Sequence, residues 1–163
     1  MGGVVRSDTL DQVLESLASS GPGGRGAAAL HAAVGVALLA RVRGSGPGAE
    51  ELQEAARRFA GAEAADPVGA ARHAVRVIEL AERALDLAET LRTGDRVLVS
   101  DVAAAAEALR AAVGTARVEV EVHLAGITDP VVREELLLAI DPVDDVVLRA
   151  AKVTAVVREQ LLR

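Results

Sequence analysis

The chain has 163 residues, enough for one domain with a substantial core, and carries a formal net charge of −6. Acidic residues number 24 against 18 Lys and Arg, which argues against a nucleic-acid binder, because such proteins need a basic face for phosphates. Aromatic residues make up 1% of the chain, with Phe59 as the single one, which nearly excludes base stacking on aromatics. Cys is absent, which excludes disulfides and thiolate chemistry.

The sequence shows no targeting or membrane segment. Residues 1–7 lack the order of basic, apolar and cleavage regions that defines a signal peptide. No apolar stretch approaches the ~20 uncharged residues that a membrane-spanning helix needs. We therefore expect a cytoplasmic protein with no membrane partner.

Apolar spacing and helix start signals predict an all-α, single-domain bundle of six or seven helices over residues 1–163. A first amphipathic helix is predicted over residues 9–19. The second helix, residues 26–42, is apolar almost all round, which is typical of a helix at the centre of the packing or in an oligomer interface. Its one polar residue in mid-helix, His31, is expected to be a hydrogen-bonded core residue.

The later helices begin at recognisable residues. Asp-Pro pairs stand at residues 66–67, 129–130 and 141–142. Asp accepts hydrogen bonds from free N–H groups of a first turn, and Pro suits the first helical position. The helices predicted in this way, together with a short one after a glycine-rich break, cover residues 49–61, 67–91, 130–140 and 142–163.

An alanine-rich helix from Ser100 to about residue 124 carries the strongest chemical signal. Advancing by 100° per residue separates a charged stripe from a small-residue face that holds Asp101, Glu119 and His123. Burial would raise the pKa of the Glu119 carboxyl group, and a neighbouring carboxylate would raise that of the His123 imidazole, which suits both for proton transfer. The alternative is a structural i, i+4 pair. Residues 118–122 also alternate like a strand, but no second strand is predicted to pair with them.

Two further segments have both a structural and a functional interpretation. The glycine-rich loop before the second helix could bind an anion at the helix N-terminus, with Arg25 as a bidentate donor, or form a tight turn with positive φ. Ser100 and Asp101 could cap their helix, or Asp101 could contact a bound amine or iminium. No metal site is predicted, because Glu119 and His123 supply only two ligands.

Three segments, in this order, resemble one family. They are residues 22–26 (Pro-Gly-Gly-Arg-Gly), residues 99–102 (Val-Ser-Asp-Val), and residues 120–129 with Val, Val, Leu, Ile and Asp at fixed spacing. The family is the cyclodeaminase/cyclohydrolase group, which includes the cyclodeaminase domain of formiminotransferase-cyclodeaminase and methenyltetrahydrofolate cyclohydrolase. The resemblance implies a dimeric all-α fold, a folate site near the glycine loop, and either loss of ammonia from a formimino group with ring closure or opening of a methenyl bridge by water.

The sequence departs from the family motifs at several positions. The fourth and fifth loop positions, Gly and Ser in the family, are Arg25 and Gly26. The two Asn positions of the third motif fall on Glu119 and His123, and its Arg falls on Glu121. The stretch between the second helix and Asp66 is also shorter than in the family. These differences favour a member that kept the fold and took a different substrate.

We therefore expect an enzyme that makes or breaks a C–N bond in a small nitrogen-containing molecule, by cyclisation through an imine or iminium in a biosynthetic pathway. Glu119, His123 and Asp101 are the expected catalytic residues. The substrate-binding residues would be Ser100 with Gly23, Gly24, Arg25 and Gly26. No cofactor is expected, and the expected partners are a small-molecule substrate and a second copy in a homodimer. The alternatives are a folate cyclohydrolase or cyclodeaminase, with folate as substrate, and a non-catalytic helical dimer.

Overall fold

A computed structural model of the chain describes residues 26–44, 47–60, 66–93 and 98–163, together with Gln12, Leu14, Glu15 and Ala18. In these ranges the secondary structure is helical and no strand occurs, which confirms the all-α prediction. Most of the helix predicted over residues 9–19 lies outside the described residues. The described helices are α1 (Ala27–Arg43), α2 (Pro47–Ala60), α3 (Pro67–Leu91), α4 (Val99–Leu124), α5 (Pro130–Ile140) and α6 (Val143–Leu161).

The helices α3 and α5 begin at Asp-Pro pairs, as predicted. The Asp66 side chain accepts a hydrogen bond of 2.9 Å from the Gly69 N–H, and the Asp129 side chain accepts one of 2.9 Å from the Val131 N–H. Each cap satisfies a donor that the first helical turn leaves free. The third pair behaves differently, because Pro142 itself occupies the N-cap position of α6 and no side chain caps that helix.

The start of α4 also differs from the prediction. Leu98 is its N-cap residue and makes no side-chain cap, so the helix begins at Val99 and Ser100 lies inside its first turn. The predicted capping role of Ser100 and Asp101 is therefore wrong. A negative charge in the first turn still favours the helix dipole, and Asp101 supplies it.

The helix α4 is the centre of the bundle and packs against α1, α3 and α6. Its inner face is made of Ala, Val and Leu side chains with no solvent exposure, among them Val102, Leu109 and Val113. Residues 118–122 are helical, so the alternation seen in the sequence does not form a strand. Small side chains on this helix let its neighbours approach closely.

Gly35 lies at a close approach between α1 and α4. A Cβ atom built there would lie 2.7 Å from Leu109 Cγ and 3.2 Å from the backbone oxygen of Ala105. Leu109 is itself fully buried, so it has little room to move. The absence of a side chain at Gly35 thus fixes the distance between these two helices.

Replacing Gly35 with Ala should lower the free energy of unfolding by about 1–3 kcal/mol, the usual cost of overpacking a core. The clash should outweigh the roughly 1 kcal/mol that Ala gains over Gly in helix propensity. Gly48→Ala is the matched control, because nothing lies within 4 Å of a Cβ there. Urea unfolding of both variants measures the difference, and a more stable Gly35→Ala protein would contradict this packing.

The outer side of α1 is not covered by the rest of the described chain. His31 is exposed, so the prediction of a buried, hydrogen-bonded histidine is wrong. Val34, one turn further, is also exposed. The helix is apolar on both sides, but only one side packs within the chain. None of the described helices combines the length and apolar character needed to cross a bilayer.

Candidate functional site

Glu119 is the one polar or charged residue, among those the structure describes, that is buried. Its side chain lies in the last third of α4 and is 6% exposed. The buried Val120 follows it and Ala116 precedes it by three residues, so the carboxyl group is held beside an aliphatic core. The inward direction predicted from the helical angle is therefore confirmed.

The Glu119 carboxyl group lies at the N-terminus of α1. The backbone N–H of Ala28, the second residue of α1, donates a hydrogen bond to it. N–H groups of a first turn and the positive end of the helix dipole both favour a negative charge at this place. Glu119 Oε1 has no hydrogen-bond partner in the described part of the chain.

Burial raises the pKa of Glu119 to about 7, and the hydrogen bond from Ala28 opposes this rise. The desolvation of the carboxylate is the larger effect. Near neutral pH both protonation states of this side chain are then populated. A group with such a pKa can take a proton and return it within one reaction cycle.

His123 follows Glu119 by one helical turn. The i, i+4 spacing places it on the same side of α4, and its side chain is half-buried. It stands in the last turn of the helix, where a positive charge is favourable. The structure thus keeps His123 on the Glu119 side of α4, at the edge of the core.

The glycine loop meets this region through its last residue. Gly26 is the N-cap residue of α1, with φ 86°, and its carbonyl oxygen accepts a hydrogen bond of 2.9 Å from the Leu30 N–H. The positive φ explains why Gly stands at this position. Gly23, Gly24 and Arg25 lie outside the described residues. Because Ala28 contacts Glu119, Gly26 at the end of the loop lies near the acid.

Asp101 and Ser100 lie at the other end of α4. At 1.5 Å per residue, Asp101 is about 27 Å from Glu119 along the helix axis. Asp101 Oδ2 is 3.2 Å from Arg41 Nε of α1. The contact is an ion pair without hydrogen-bond geometry, which leaves the buried Oδ2 without a hydrogen-bond partner. A single chain therefore does not bring Asp101 and Glu119 into one site.

A groove opens beside the ion pair of Asp101. It lies between α1 and α2, has a volume of about 420 Å³, and its polar lining is Arg41, Glu50 and Gln53. The volume lies in the range of small-molecule sites. No sequence pattern pointed to this groove, because it exists only through the pairing of two helices.

A comparison with models of protein families found a match. The family model described as Formiminotransferase-cyclodeaminase matches residues 45–141, which is more than half of the chain. The chain belongs to the formiminotransferase-cyclodeaminase family. A search among curated proteins found no match.

The part that matches the formiminotransferase-cyclodeaminase family contains α2 to α5. It therefore includes Asp101, Glu119 and His123, whereas the glycine loop lies before it. No group of three or more His, Asp or Glu that could hold a metal ion occurs in the described ranges. Glu119, with its pKa raised to about 7, is the group among these residues that is closest to neutrality.

Proposed function

We propose that this protein is an enzyme of the cyclohydrolase or cyclodeaminase type. It would act on the C–N bond of a methenyl or formimino group carried by a reduced folate. Family membership supports the substrate class. The observation that carries the proposal is the buried carboxyl group of Glu119, whose Oε1 lacks a hydrogen-bond partner and whose pKa is raised to about 7.

Both family reactions require one proton to be taken and one to be given. In methenyl hydrolysis, water adds to the cationic carbon and loses a proton to the Glu119 carboxylate as the C–O bond forms. The same proton then passes to the nitrogen that leaves as the C–N bond breaks, and the hydroxyl group of the adduct releases its own proton to solvent as the formyl C=O bond forms. In cyclodeamination, the exocyclic amine nitrogen of the folate attacks the carbon of a protonated formimino group and loses its proton to Glu119. The departing ammonia takes that proton as its C–N bond breaks. A carboxylate also stabilises the cationic substrate.

The residue types at positions 119 and 123 favour a second candidate function. Glu119 and His123 stand where the family motif that the sequence resembles has Asn, so a carboxyl group and an imidazole replace two amides in this chain. This change fits a small nitrogen-containing substrate other than folate that closes a ring through an imine or iminium. The proton transfers assigned to Glu119 are the same, and only the bound molecule differs.

A reduced folate should distinguish the two candidates. Methenyltetrahydrofolate at about 100 times its Kd would stabilise the folded protein by about 2.7 kcal/mol. For a chain of this size that corresponds to a rise in Tm of about 5–10 °C. Loss of the methenyl absorbance would report turnover in the same sample. Folic acid, which lacks the methenyl bridge, is the control ligand.

The results separate the hypotheses. A Tm shift with turnover supports the folate reaction. If saturating methenyltetrahydrofolate gives neither, folate is not the substrate and the second candidate takes its place. A protein that also shows no binding of small cyclic imines or amidines would be the non-catalytic helical dimer.

A further inference from the structure

We propose that the groove between α1 and α2 is a second binding site, whose ligand is a small free amino acid with a short aliphatic side chain. Arg41 would bind the carboxylate of this ligand, and Glu50 would bind its ammonium group. The groove lies near the start of α4, at the opposite end of that helix from Glu119. The proposal is therefore independent of the function proposed above.

The guanidinium group of Arg41 is oriented by a largely buried acid. Arg41 Nε lies 3.2 Å from Asp101 Oδ2, and the Asp101 side chain is only 17% exposed, against 68% for Arg41. No other residue in the described part of the chain pairs with Arg41. Because Asp101 lies on the Nε side, the edge formed by the two Nη groups remains for a ligand. This edge can bind a carboxylate through two parallel hydrogen bonds.

The opposite wall of the groove provides a carboxylate and an amide. Glu50 and Gln53 stand three residues apart on α2, which places them on the same side of that helix. Within the described ranges, neither side chain forms an ion pair or a hydrogen bond. Glu54, one turn beyond Glu50, is by contrast paired with Arg58 at 3.2 Å. Glu50 is therefore available to accept hydrogen bonds from an ammonium group, and Gln53 can both donate and accept.

The charges of the groove favour a zwitterion over an ion of one sign. An anion such as phosphate would lie beside the carboxylate of Glu50, and a simple amine would lie beside the guanidinium group of Arg41, so each would meet a like charge. A zwitterion can place each of its charges beside the opposite one. Gly44, the C-cap residue of α1, also lines the groove, and the free carbonyl groups of a helix C-terminus favour a positive charge.

The rest of the lining determines the side chain of the ligand. Ala37, Ala40 and Ala49 contribute only methyl groups, and Ala49 is buried. These methyl groups can contact an aliphatic side chain, whereas they offer no hydrogen bond to a polar one. The volume of about 420 Å³ is near the lower end of the range of small-molecule pockets. We therefore expect valine and leucine to bind more tightly than aspartate or lysine.

Titration with free valine and two truncated analogues tests the charge argument. Isobutylamine lacks the carboxylate of valine, and 3-methylbutanoate lacks its ammonium group. Valine should shift the NMR signals of the Gly44, Ala49 and Gln53 backbone amides and leave those of Ala28 and Glu119 unchanged. Each analogue should bind about 10–100-fold more weakly than valine, because one charge-assisted contact is lost.

Substitutions at the two charged residues provide the second test. Arg41→Gln and Glu50→Gln should each weaken the binding of valine by about 10–100-fold in isothermal titration calorimetry. Both side chains lie at the surface, so the variants should stay folded. Arg43→Gln and Glu51→Gln are the matched controls, because these exposed residues stand close by in the sequence but do not line the groove. Both controls should bind valine like the wild-type protein.

A variant that fills the groove separates this site from any other. Ala37→Leu keeps every charge and places a larger side chain at an exposed position of α1, so it should abolish the binding of valine and leave the fold intact. Unchanged binding in this variant would show that valine binds elsewhere. Analogues that bind as tightly as valine would overturn the zwitterion, and no binding of valine or leucine at their solubility limits would overturn the site. None of these measurements uses folate or turnover, so their failure leaves the proposed function untouched.

Discussion

Replacing Glu119 with Gln should reduce turnover by about 10²–10⁴-fold, the usual contribution of a general acid–base group. Gln has the same shape and can still accept the hydrogen bond from Ala28, but it cannot take up or release a proton. It also removes the negative charge that would stabilise a cationic substrate. The initial rate of loss of the methenyl group, or of ring closure with the second substrate class, measures the effect.

Glu121→Gln is the matched control for this experiment. Glu121 lies two residues further on α4, is exposed, and forms an ion pair of 3.0 Å with Arg117. Surface ion pairs of this kind contribute less than about 1 kcal/mol to the free energy of unfolding, so the variant should stay folded. Its rate should equal that of the wild-type protein, because Glu119 is unchanged. The wild-type rate should also change with pH near 7, where Glu119 ionises. This pH dependence should be absent from the pH–rate profile of Glu119→Gln. Undiminished turnover in that variant would remove Glu119 from the mechanism.

The sequence predicted the helices well because their signals are local. Asp66 and Asp129 cap the turns that follow them, and Pro67 and Pro130 occupy the first helical positions. The inward direction of Glu119 was equally predictable, since a helical angle needs only the spacing of residues within one segment. These features depend on neighbours a few positions apart.

The partners of the site residues could not be predicted in the same way. The contact of Glu119 with Ala28 and that of Asp101 with Arg41 depend on how α1 and α4 lie against each other. The two helices run antiparallel, since the start of α1 lies at the end of α4 and its end at the start of α4. Contacts between them, such as that of Gly35 with Leu109, join residues far apart in the sequence. The capping role given to Asp101 was wrong because α4 begins two residues earlier, at Val99, and the contact that Asp101 makes instead, with Arg41, could not be read from the sequence.

His31 shows a second limit of sequence reasoning. The apolar surface of a helix is usually covered, either by other helices of the same chain or by a second copy of the protein. The sequence does not reveal which of the two covers it. Within one chain, His31 and Val34 lie at the surface. The interface interpretation of α1 therefore remains a prediction, and sedimentation of the wild-type protein beside a His31→Glu, Val34→Glu variant would test it.

The free energy of unfolding should fall by about 3 kcal/mol as the pH rises from below 4.5 to above 7, because of Glu119 alone. The pKa of its carboxyl group rises from 4.5 to about 7 on folding. Between these values the folded protein keeps a proton that the unfolded chain has released. The contribution is therefore fully present below pH 4.5 and is lost as the pH passes through about 7.

Other groups also titrate in this range, so the informative quantity is the difference between the wild-type protein and Glu119→Gln in urea unfolding at several pH values. Below pH 4.5 the wild-type protein and the variant should have similar free energies of unfolding, because Glu119 is then protonated in both the folded and the unfolded state. At pH 8 the variant should be more stable by up to about 3 kcal/mol. Glu121→Gln should follow the wild-type curve. Parallel curves for Glu119→Gln and the wild-type protein would show that Glu119 is ionised normally. A variant that is more stable at pH 8 yet less active would indicate that the buried charge is kept for its chemistry, at a cost to the fold.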